Sequence, residues 1–178
     1  MPADRSGAPD DIHLAVIDTP LGEMLAGAAG DALCLLEFDD PGRKERQLGI
    51  LHRLSHKPLL KGEHAIFTRL KSQLRQYFAG ERTDFDIPLW YPGTDFQRRV
   101  WQALLEIPCG ETRSYGQVAL AVGKPGAARA VGTANGCNRI AIIIPCHRVI
   151  AANGAPGGYG GGLWRKQRLL DLERARQR

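Results

Sequence analysis

One pair of neighbouring residues combines the types needed for covalent chemistry. Cys146 and His147 stand in Pro145-Cys-His-Arg-Val149, directly after the apolar run Ile140-Ala-Ile-Ile-Ile144. Thiolate is the reactive form of cysteine, and a nearby base or cation lowers the thiol pKa from its free value of about 8.5. The pair therefore suggests a nucleophile at the end of a buried strand. A bare Cys-His dipeptide is more often a buried thiol beside a strand-capping histidine, so the surrounding elements must decide.

Three short helices are expected to position this pair. Thr94-Asp-Phe-Gln97 and Ser114-Tyr-Gly-Gln117 are capping boxes that begin two of them. The first helix ends at Pro108-Cys-Gly110 and the second at Gly123-Lys-Pro-Gly126, and a third runs from Ala127 to Asn135. Two short helices joined by a glycine-containing turn of about four residues form a helix-turn-helix pattern.

The third helix consists almost wholly of small residues and carries a single arginine, Arg129. A helix so poor in large side chains gains little from burial, so packing alone explains its composition poorly. Its slim face would suit close contact with a duplex. Helical hairpins without a DNA partner are also common, and the pattern alone does not settle the matter.

The charge of the chain is unevenly distributed. Residues 1–93 hold 11 Lys/Arg and 14 Asp/Glu, a balance of −3, whereas residues 94–178 hold 13 and 5, a balance of +8. A basic second half beside a mildly acidic first half suggests that the second half faces a polyanion. A merely basic surface explains the charge equally well.

The first half is predicted to be a scaffold, because it shows no cluster of reactive groups. Apolar runs at 14–22 and 32–38 predict short strands, and Phe85–Trp90 predicts an edge strand. Helices are expected over 43–54 and 63–79. Tyr91-Pro-Gly93 is typical of a linker.

Bulk composition excludes several classes of protein. No run of about 18 apolar residues is present, so no membrane span is expected. The first residues lack an apolar signal region, and four cysteines without paired spacing fit free thiols in a reducing compartment. These features predict a cytoplasmic protein. Cys34 is the only cysteine of the first half and no ligand-spaced Cys/His cluster is present, so neither a metal nor a cofactor is expected.

Several strings, taken in order, resemble the O6-alkylguanine-DNA alkyltransferase family. Pro145-Cys-His-Arg-Val149 is similar to its active-site signature, and Arg129-Ala-Val-Gly-Thr-Ala-Asn-Gly-Cys-Asn138 to its recognition helix and asparagine hinge. Gly158-Tyr-Gly-Gly-Gly162 resembles its substrate loop, and Leu169-Leu-Asp-Leu-Glu173 its final helix. These matches lie within residues 94–173, whereas the first half agrees only in general layout.

The resemblance implies an α+β fold of two domains. Residues 1–92 would form a small α/β domain of the ribonuclease H-like type. Residues 93–178 would form a helical, winged helix-turn-helix-like domain that binds DNA and carries the chemistry.

The implied activity is that of a methylated-DNA–protein-cysteine S-methyltransferase, a DNA-repair protein that acts once. Cys146 would attack the alkyl carbon of a damaged guanine in one displacement and keep the group. His147, held by Glu173, would draw off the thiol proton through a water. Tyr115 would give guanine a proton or hydrogen bond, because a purine anion is a poor leaving group. Asn138 would brace the hinge between the recognition helix and the active-site strand.

The implied partner is double-stranded DNA that carries O6-alkylguanine, with O4-alkylthymine as a further substrate. The target base is stacked inside the duplex, so it must be flipped out, and Arg129 would fill the gap. The recognition helix would lie in the minor groove with Ala128, Ala130 and Gly132 against the DNA. A monomer is expected, and cooperation between molecules on DNA is left open.

The substrate pocket is implied by the same resemblance. Tyr159 would close over the flipped base, and the Gly160 amide would approach the guanine oxygen. The carbonyls of Cys146 and Val149 would accept hydrogen bonds from the guanine amino group.

The chain departs from the family pattern at three positions. Cys137 is a second thiol just before Asn138, and Gly160 replaces a small hydroxyl residue of some members. Arg174 follows Glu173 where many members carry glycine. These differences put one contact to the base oxygen and the end of the last helix in doubt.

Two rival functions remain. A catalytically silent helix-turn-helix binder would regulate or sense lesions, although the presence of Cys146 argues against it. A cysteine hydrolase using Cys146 and His147 is disfavoured if the two lie on a strand, where neighbours point to opposite faces. Structural readings also exist for Glu173 as a surface ion-pair member, Tyr115 as a core residue and Asn138 as a turn residue. The Gly158–Gly162 run has the composition of a flexible loop.

Overall fold

The computed structural model describes residues 11–176 and divides into two compact units, one up to Pro92 and the other from Gly93. The first unit is a sheet with two helices, and the second is mainly helical. The predicted α+β class is therefore confirmed. Within the described residues, no helix is both long enough and apolar enough to cross a membrane.

The first unit is built on a four-stranded sheet. Its strands are β1 (Ile12–Ile17), β2 (Met24–Ala29), β3 (Ala32–Phe38) and β4 (Leu59–Lys61), in the spatial order β3-β2-β1-β4. The β1–β2 and β2–β3 pairs are antiparallel, and the β1–β4 pair is parallel. Helix α1 spans Arg43–Ser55 and α2 spans Ala65–Ala79. Every residue of β2 and β3 is buried, which makes these two strands the centre of the unit.

The predicted edge strand at Phe85–Trp90 is wrong. The segment makes a single parallel bridge, between Leu89 and Leu33. Pro88 has no amide hydrogen to extend a ladder, and the amide of Asp86 donates to the Gln73 side chain at 3.2 Å instead of to a strand. The segment is therefore fixed against the sheet without becoming part of it.

The second unit contains the three helices predicted from the sequence pattern and the final helix that the family resemblance implied. Helix α3 spans Asp95–Leu105, α4 spans Tyr115–Ala121, α5 spans Ala128–Gly136 and α6 spans Leu163–Ala175. Two residues of β5 (Arg113–Ser114) pair in parallel with β6 (Val149–Ile150). Both capping boxes are present, at Thr94 with Gln97 and at Ser114 with Gln117. A cap of this kind stabilises a helix by about 1 kcal/mol.

Helix α3 holds α5 in place. It buries Val100, Trp101 and Leu104 on one face, and the Trp101 indole N–H donates to the carbonyl of Ala134 at 2.9 Å. A Cβ on Gly93 would lie 2.7 Å from the Trp101 ring, so only glycine fits where the chain enters α3. The slim helix α5 is thus anchored through its inner face, and its outer face carries no large buried side chain.

The apolar run Ile140–Ile144 is a buried turn, and the predicted strand is wrong. The amide of Ile144 donates to the carbonyl of Ile140 at 3.0 Å, and Ile142 has a φ of 71°, in the left-handed region that β-branched residues rarely adopt. An apolar run shows burial but cannot by itself separate a strand from another buried conformation.

The segment after this turn is helical. Cys146–Arg148 form one turn of 3₁₀-helix before β6. Cys146 and His147 therefore do not lie on a strand, so the argument that neighbours on a strand point to opposite faces does not apply to them. The arrangement of their side chains must be judged from the contacts that each one makes.

Candidate active site

Cys146 begins the 3₁₀ turn and is 8% exposed. The Asn138 side-chain amide donates to its sulfur at 3.1 Å. A donor directed at sulfur favours the thiolate over the neutral thiol. The fold therefore places a nearly buried sulfur where its anion is stabilised.

Asn138 is buried, and both the nitrogen and the oxygen of its carboxamide form hydrogen bonds with the turn at Ile140–Ile144. Its nitrogen also donates to the carbonyl of Ile144 at 2.9 Å, and its oxygen accepts from the amide of Ile140 at 3.0 Å. Because Asn138 follows α5 after one residue, this side chain links the end of α5 to the nucleophile. The predicted position as a brace agrees with this geometry, although the element that it braces is a turn.

His147 and Glu173 form a fully buried pair. The His147 Nε2 atom lies 2.9 Å from Glu173 Oε1. Burial alone would raise the pKa of Glu173, but hydrogen bonds and charges from His147 and Arg148 outweigh it and hold the pKa well below its usual range. With Glu173 ionised, Nε2 carries the proton and donates it, which leaves Nδ1 as the basic atom.

His147 is held neutral and ready to accept a proton. Burial is the largest influence and lowers its pKa, the bond to Glu173 acts in the opposite direction, and the charges of Arg148 and Lys166 lower it further. Nδ1 is buried and makes no hydrogen bond to any described residue. The ring can therefore take up a proton only transiently, at Nδ1.

Arg148 is a site residue that the sequence reasoning missed. It is buried and grips Glu173 with two hydrogen bonds, Nε to Oε2 and Nη2 to Oε1, each 2.9 Å long. Its Nη1 atom donates to the carbonyl of Ile107 at 2.6 Å, and the amide of Gly110 donates to Glu173 Oε2 at 3.1 Å. Glu173 is thus a buried anchor, and its interpretation as a surface ion-pair member is wrong. The signal that could have found Arg148 was its place beside the reactive pair.

Tyr115 is the first residue of α4 and lies between α5 and the glycine-rich loop. A Cβ on Gly132 would lie 3.8 Å from the tyrosine ring, and one on Gly157 only 2.8 Å from the hydroxyl. Burial raises the pKa of Tyr115, and the charge of Cys146 raises it further. The hydroxyl therefore stays protonated and able to donate near the nucleophile.

The predicted DNA-contacting residues of α5 do not share one environment. Arg129 and Ala130 are exposed, and Ala128 is half-buried. Gly132 is half-buried, and a Cβ at this position would point towards the Tyr115 ring. The structure thus leaves Arg129 and Ala130 accessible and places Gly132 on the side of α5 that faces the active site.

The predicted substrate loop precedes α6. Tyr159 is half-buried and Gly160 is exposed, within a turn closed by the amide of Gly162 and the carbonyl of Tyr159 at 3.1 Å. The Val149 carbonyl accepts a hydrogen bond of 2.6 Å from Lys166 Nζ. Lys166 is a fully buried lysine on α6.

Free thiols occur at Cys34, Cys109, Cys137 and Cys146. Among residues 11–176, no three His, Cys, Asp or Glu side chains converge in a group that could hold a metal ion.

Two family models together match nearly all of the described chain. Residues 12–91 match the ribonuclease-like domain of 6-O-methylguanine DNA methyltransferase, and residues 95–175 match the DNA binding domain of the same family. The division between the two matches falls close to the junction between the two compact units.

Full-length relatives agree with the family models. A methylated-DNA–protein-cysteine methyltransferase of Mycolicibacterium paratuberculosis is 65% identical over 92% of this chain and 93% of its own length. One from Mycobacterium leprae is 51% identical with the same coverage. A crystal structure of Mycobacterium tuberculosis OGT in complex with DNA is 48% identical and superposes with a TM-score of 0.79, over 92% of this chain and 94% of that one.

Proposed function

The chain belongs to the 6-O-methylguanine DNA methyltransferase family, and we propose that it repairs DNA by moving the alkyl group of O6-alkylguanine onto Cys146. DNA repair by alkyl transfer to a protein cysteine is the function that the sequence predicted. The silent DNA-binding alternative is not favoured, because relatives at this identity carry the methyltransferase name. DNA binding follows from the match to the DNA binding domain.

The observation that carries the proposal is the buried arrangement of Asn138 on the sulfur of Cys146 and of the His147–Glu173 pair next to it in the chain. Asn138 donates to Cys146 at 3.1 Å, and the next residue, His147, is fixed by the ionised Glu173 with Nδ1 left basic. A base held by a carboxylate is the arrangement that activates a nucleophile. Among the described cysteines, Cys146 alone has such neighbours.

The reaction is a single displacement. His147 accepts the thiol proton at Nδ1 through a water, and the sulfur lone pair forms a bond to the alkyl carbon. The carbon–oxygen bond breaks, and its electron pair remains on guanine, which takes up one proton in place of the one that the thiol loses. Tyr115, which stays protonated, donates to the guanine as this charge develops. The product thioether has no leaving group that would regenerate the thiol, so each molecule acts once.

The base reaches Cys146 by leaving the duplex. The exposed Arg129 occupies the gap, while the small residues of α5 allow close approach in the minor groove. Tyr159 covers the flipped base, the Gly160 amide meets its oxygen, and the carbonyls of Cys146 and Val149 receive its amino group. The Val149 carbonyl can serve the base and Lys166 together, because an oxygen accepts two hydrogen bonds. The protein acts as a monomer.

Mass spectrometry with one equivalent of a duplex carrying O6-methylguanine tests the proposal. We expect the protein to gain one methyl group on the peptide that contains Cys146. Cys146→Ala should gain nothing and should still bind the duplex with affinity close to that of the parent. A gain on another residue, or none in the parent protein, would refute the assignment.

A further inference from the structure

The sheet of the first unit has a strand that is longer than its neighbour. Strand β4 pairs only with residues 12–14 of β1, which continues for three more residues. The carbonyl of Leu14 accepts from the amide of Gly62 at 3.2 Å on this edge. The main chain of every second residue faces the same edge, so the amide and carbonyl of Val16 also point there. Among residues 11–176, no hydrogen bond reaches either group from this side.

The unpaired end of β1 borders an open groove of about 910 Å³. The opposite wall of the groove is a stripe of α2 that includes Lys71, Arg75 and Phe78, and every lining residue belongs to the first unit. These three positions lie on one side of the helix, because they are spaced by four and three residues. The groove therefore occupies the space that a longer β4 would fill, between a strand edge and the side chains of a helix.

Apolar side chains of the groove are accessible to a partner. Val16 is 49% exposed, Pro20 is exposed and Phe78 is half-buried. An exposed valine beside unpaired main-chain groups is a feature that edge strands usually cover or interrupt with charge. An extended chain that adds to the sheet as a strand would satisfy the main-chain groups and cover the valine together.

The charged side chains of the groove favour an acidic chain. Lys71 and Arg75 are exposed, and neither forms an ion pair with a carboxylate of the described part of the chain. Asp18 is the one acidic residue in the lining, so two cations face a single carboxylate. DNA suits the groove less well, because it has no peptide main chain to pair with a strand edge and residues 1–93 carry a net charge of −3.

We propose that this groove binds an extended acidic segment of another protein, which adds to β1 beside Val16 and directs its carboxylates towards Lys71 and Arg75. Side chains of a strand alternate between the two faces of a sheet. One set of the partner's side chains would therefore meet α2, and the other set would lie on the face that carries the Val16 side chain. The site is separate from the residues that carry the chemistry, so it does not depend on the proposed alkyl transfer.

Fluorescence anisotropy with a labelled hexapeptide of alternating aspartate and valine tests the charge arrangement. The full-length protein should bind one peptide saturably. Lys71→Glu and Arg75→Glu should each weaken binding by about three- to tenfold, since each removes one attraction and adds a repulsion. Asp18→Asn should strengthen binding by about twofold, because it removes the carboxylate that opposes the peptide.

The matched control is Arg53→Glu, which makes the same change of net charge at an exposed position of α1 outside the groove. It should alter the affinity by less than about twofold, because screening weakens the effect of distant surface charges. Equal weakening by Arg53→Glu and Lys71→Glu would show that the peptide responds only to overall charge, which would overturn the proposal.

Two N-methylated forms of the peptide test strand addition without any change in the protein. One form carries methyl groups on its aspartate nitrogens, and the other carries them on its valine nitrogens. Because amides of successive residues face opposite edges of a strand, one form should lose at least about tenfold in affinity and the other should bind like the parent peptide. Equal affinities of the two forms would overturn strand addition.

Two rival occupants would give different results. Displacement of the peptide by an undamaged DNA duplex would assign the groove to DNA. A dimer in sedimentation that dissociates when the peptide is added would assign it to a second copy of this chain. Either result would overturn the proposal, as would the absence of saturable peptide binding.

Discussion

Arg148 holds Glu173 by two parallel hydrogen bonds of 2.9 Å in the buried interior, on the same carboxylate that orients His147. One carboxylate therefore serves the stability of the second unit and the basicity of its active site. Replacement of the charge by a neutral group of the same shape separates these two contributions.

Glu173→Gln should destabilise the protein by about 3–5 kcal/mol, because it leaves Arg148 buried without a carboxylate. It should also slow alkyl transfer, since a glutamine can no longer stabilise a protonated His147. Urea denaturation and single-turnover rates measure the two effects. Glu111→Gln removes the carboxylate of an exposed pair with Arg113 and should change stability by no more than about 1 kcal/mol. Equal losses in the two variants would contradict the buried-anchor role.

The contribution of Glu173 should disappear in acid. Its pKa is lowered in the folded protein, so its stabilising effect is present above the unfolded value of 4.5 and is lost as pH falls through the range below it. The difference in unfolding free energy between the parent protein and Glu173→Gln should therefore be constant from pH 7 to about pH 5 and shrink below that. Urea titrations at several pH values measure this difference. A difference that does not vary with pH would show that Glu173 is not ionised in the folded state.

Asn138→Ala should cost at least about 1–3 kcal/mol of stability and lower the reactivity of Cys146. It leaves the buried amide of Ile140 without its partner and removes the donor to the sulfur. The carbonyl of Ile144 loses one of its two donors and keeps the amide of Cys146 at 2.8 Å. Denaturation and the rate of reaction with a free O6-alkylguanine base provide the measurements.

The matched control is Asn153→Ala, because this exposed side chain accepts a single hydrogen bond, from the amide of Ala155. Asn153→Ala should alter stability by less than about 1 kcal/mol and leave the rate unaffected. Comparable losses at the two positions would argue against Asn138 as the link between the turn and the nucleophile.

Arg129→Ala should slow repair of duplex DNA by about tenfold or more, because unstacking a base costs a few kcal/mol that the arginine offsets. Reaction with the free base needs no flipping and should keep its rate. Arg174→Ala removes an exposed charge from α6 and controls for the loss of general attraction to DNA. If both substrates slow equally in Arg129→Ala, the arginine does not act in flipping.

Gly157→Ala should lower the rate with both substrates by at least about tenfold, since its φ of 67° disfavours alanine and its Cβ would lie 2.8 Å from the Tyr115 hydroxyl. Gly158→Ala should have a much smaller effect, because an added Cβ there meets no atom within 4 Å. Single-turnover rates of the two variants decide the matter. Similar behaviour of both would mean that the loop can move away from Tyr115 at little cost.

The sequence was most informative where local chemistry determines local structure. The capping boxes at Thr94 and Ser114 located two helix starts, because each contains its own hydrogen-bond partners. The motif around Cys146 located the nucleophile. Proline at 88 marked a strand limit that the apolar pattern of its neighbours concealed.

The parts that could not be predicted depend on contacts between distant segments. Burial of Ile140–Ile144 was evident, but the turn is set by the Asn138 carboxamide and by an unusual φ at Ile142. Arg148 and Lys166 entered the sequence analysis only as two of the basic residues of the second half. The sequence does not show which charged side chains become buried in the fold. Enclosure depends on α6 returning against the 3₁₀ turn, and no local pattern encodes that approach.

The face of the active site formed by Gly157 consists of main chain pressed against a tyrosine hydroxyl. No single substitution can enlarge the active site at this position, because Gly157 has no side chain to remove. Any replacement of Gly157 adds volume and also strains the backbone at its positive φ. Diversification towards bulkier DNA adducts must therefore proceed through roomier neighbours such as Gly158, or through insertions that lengthen the loop.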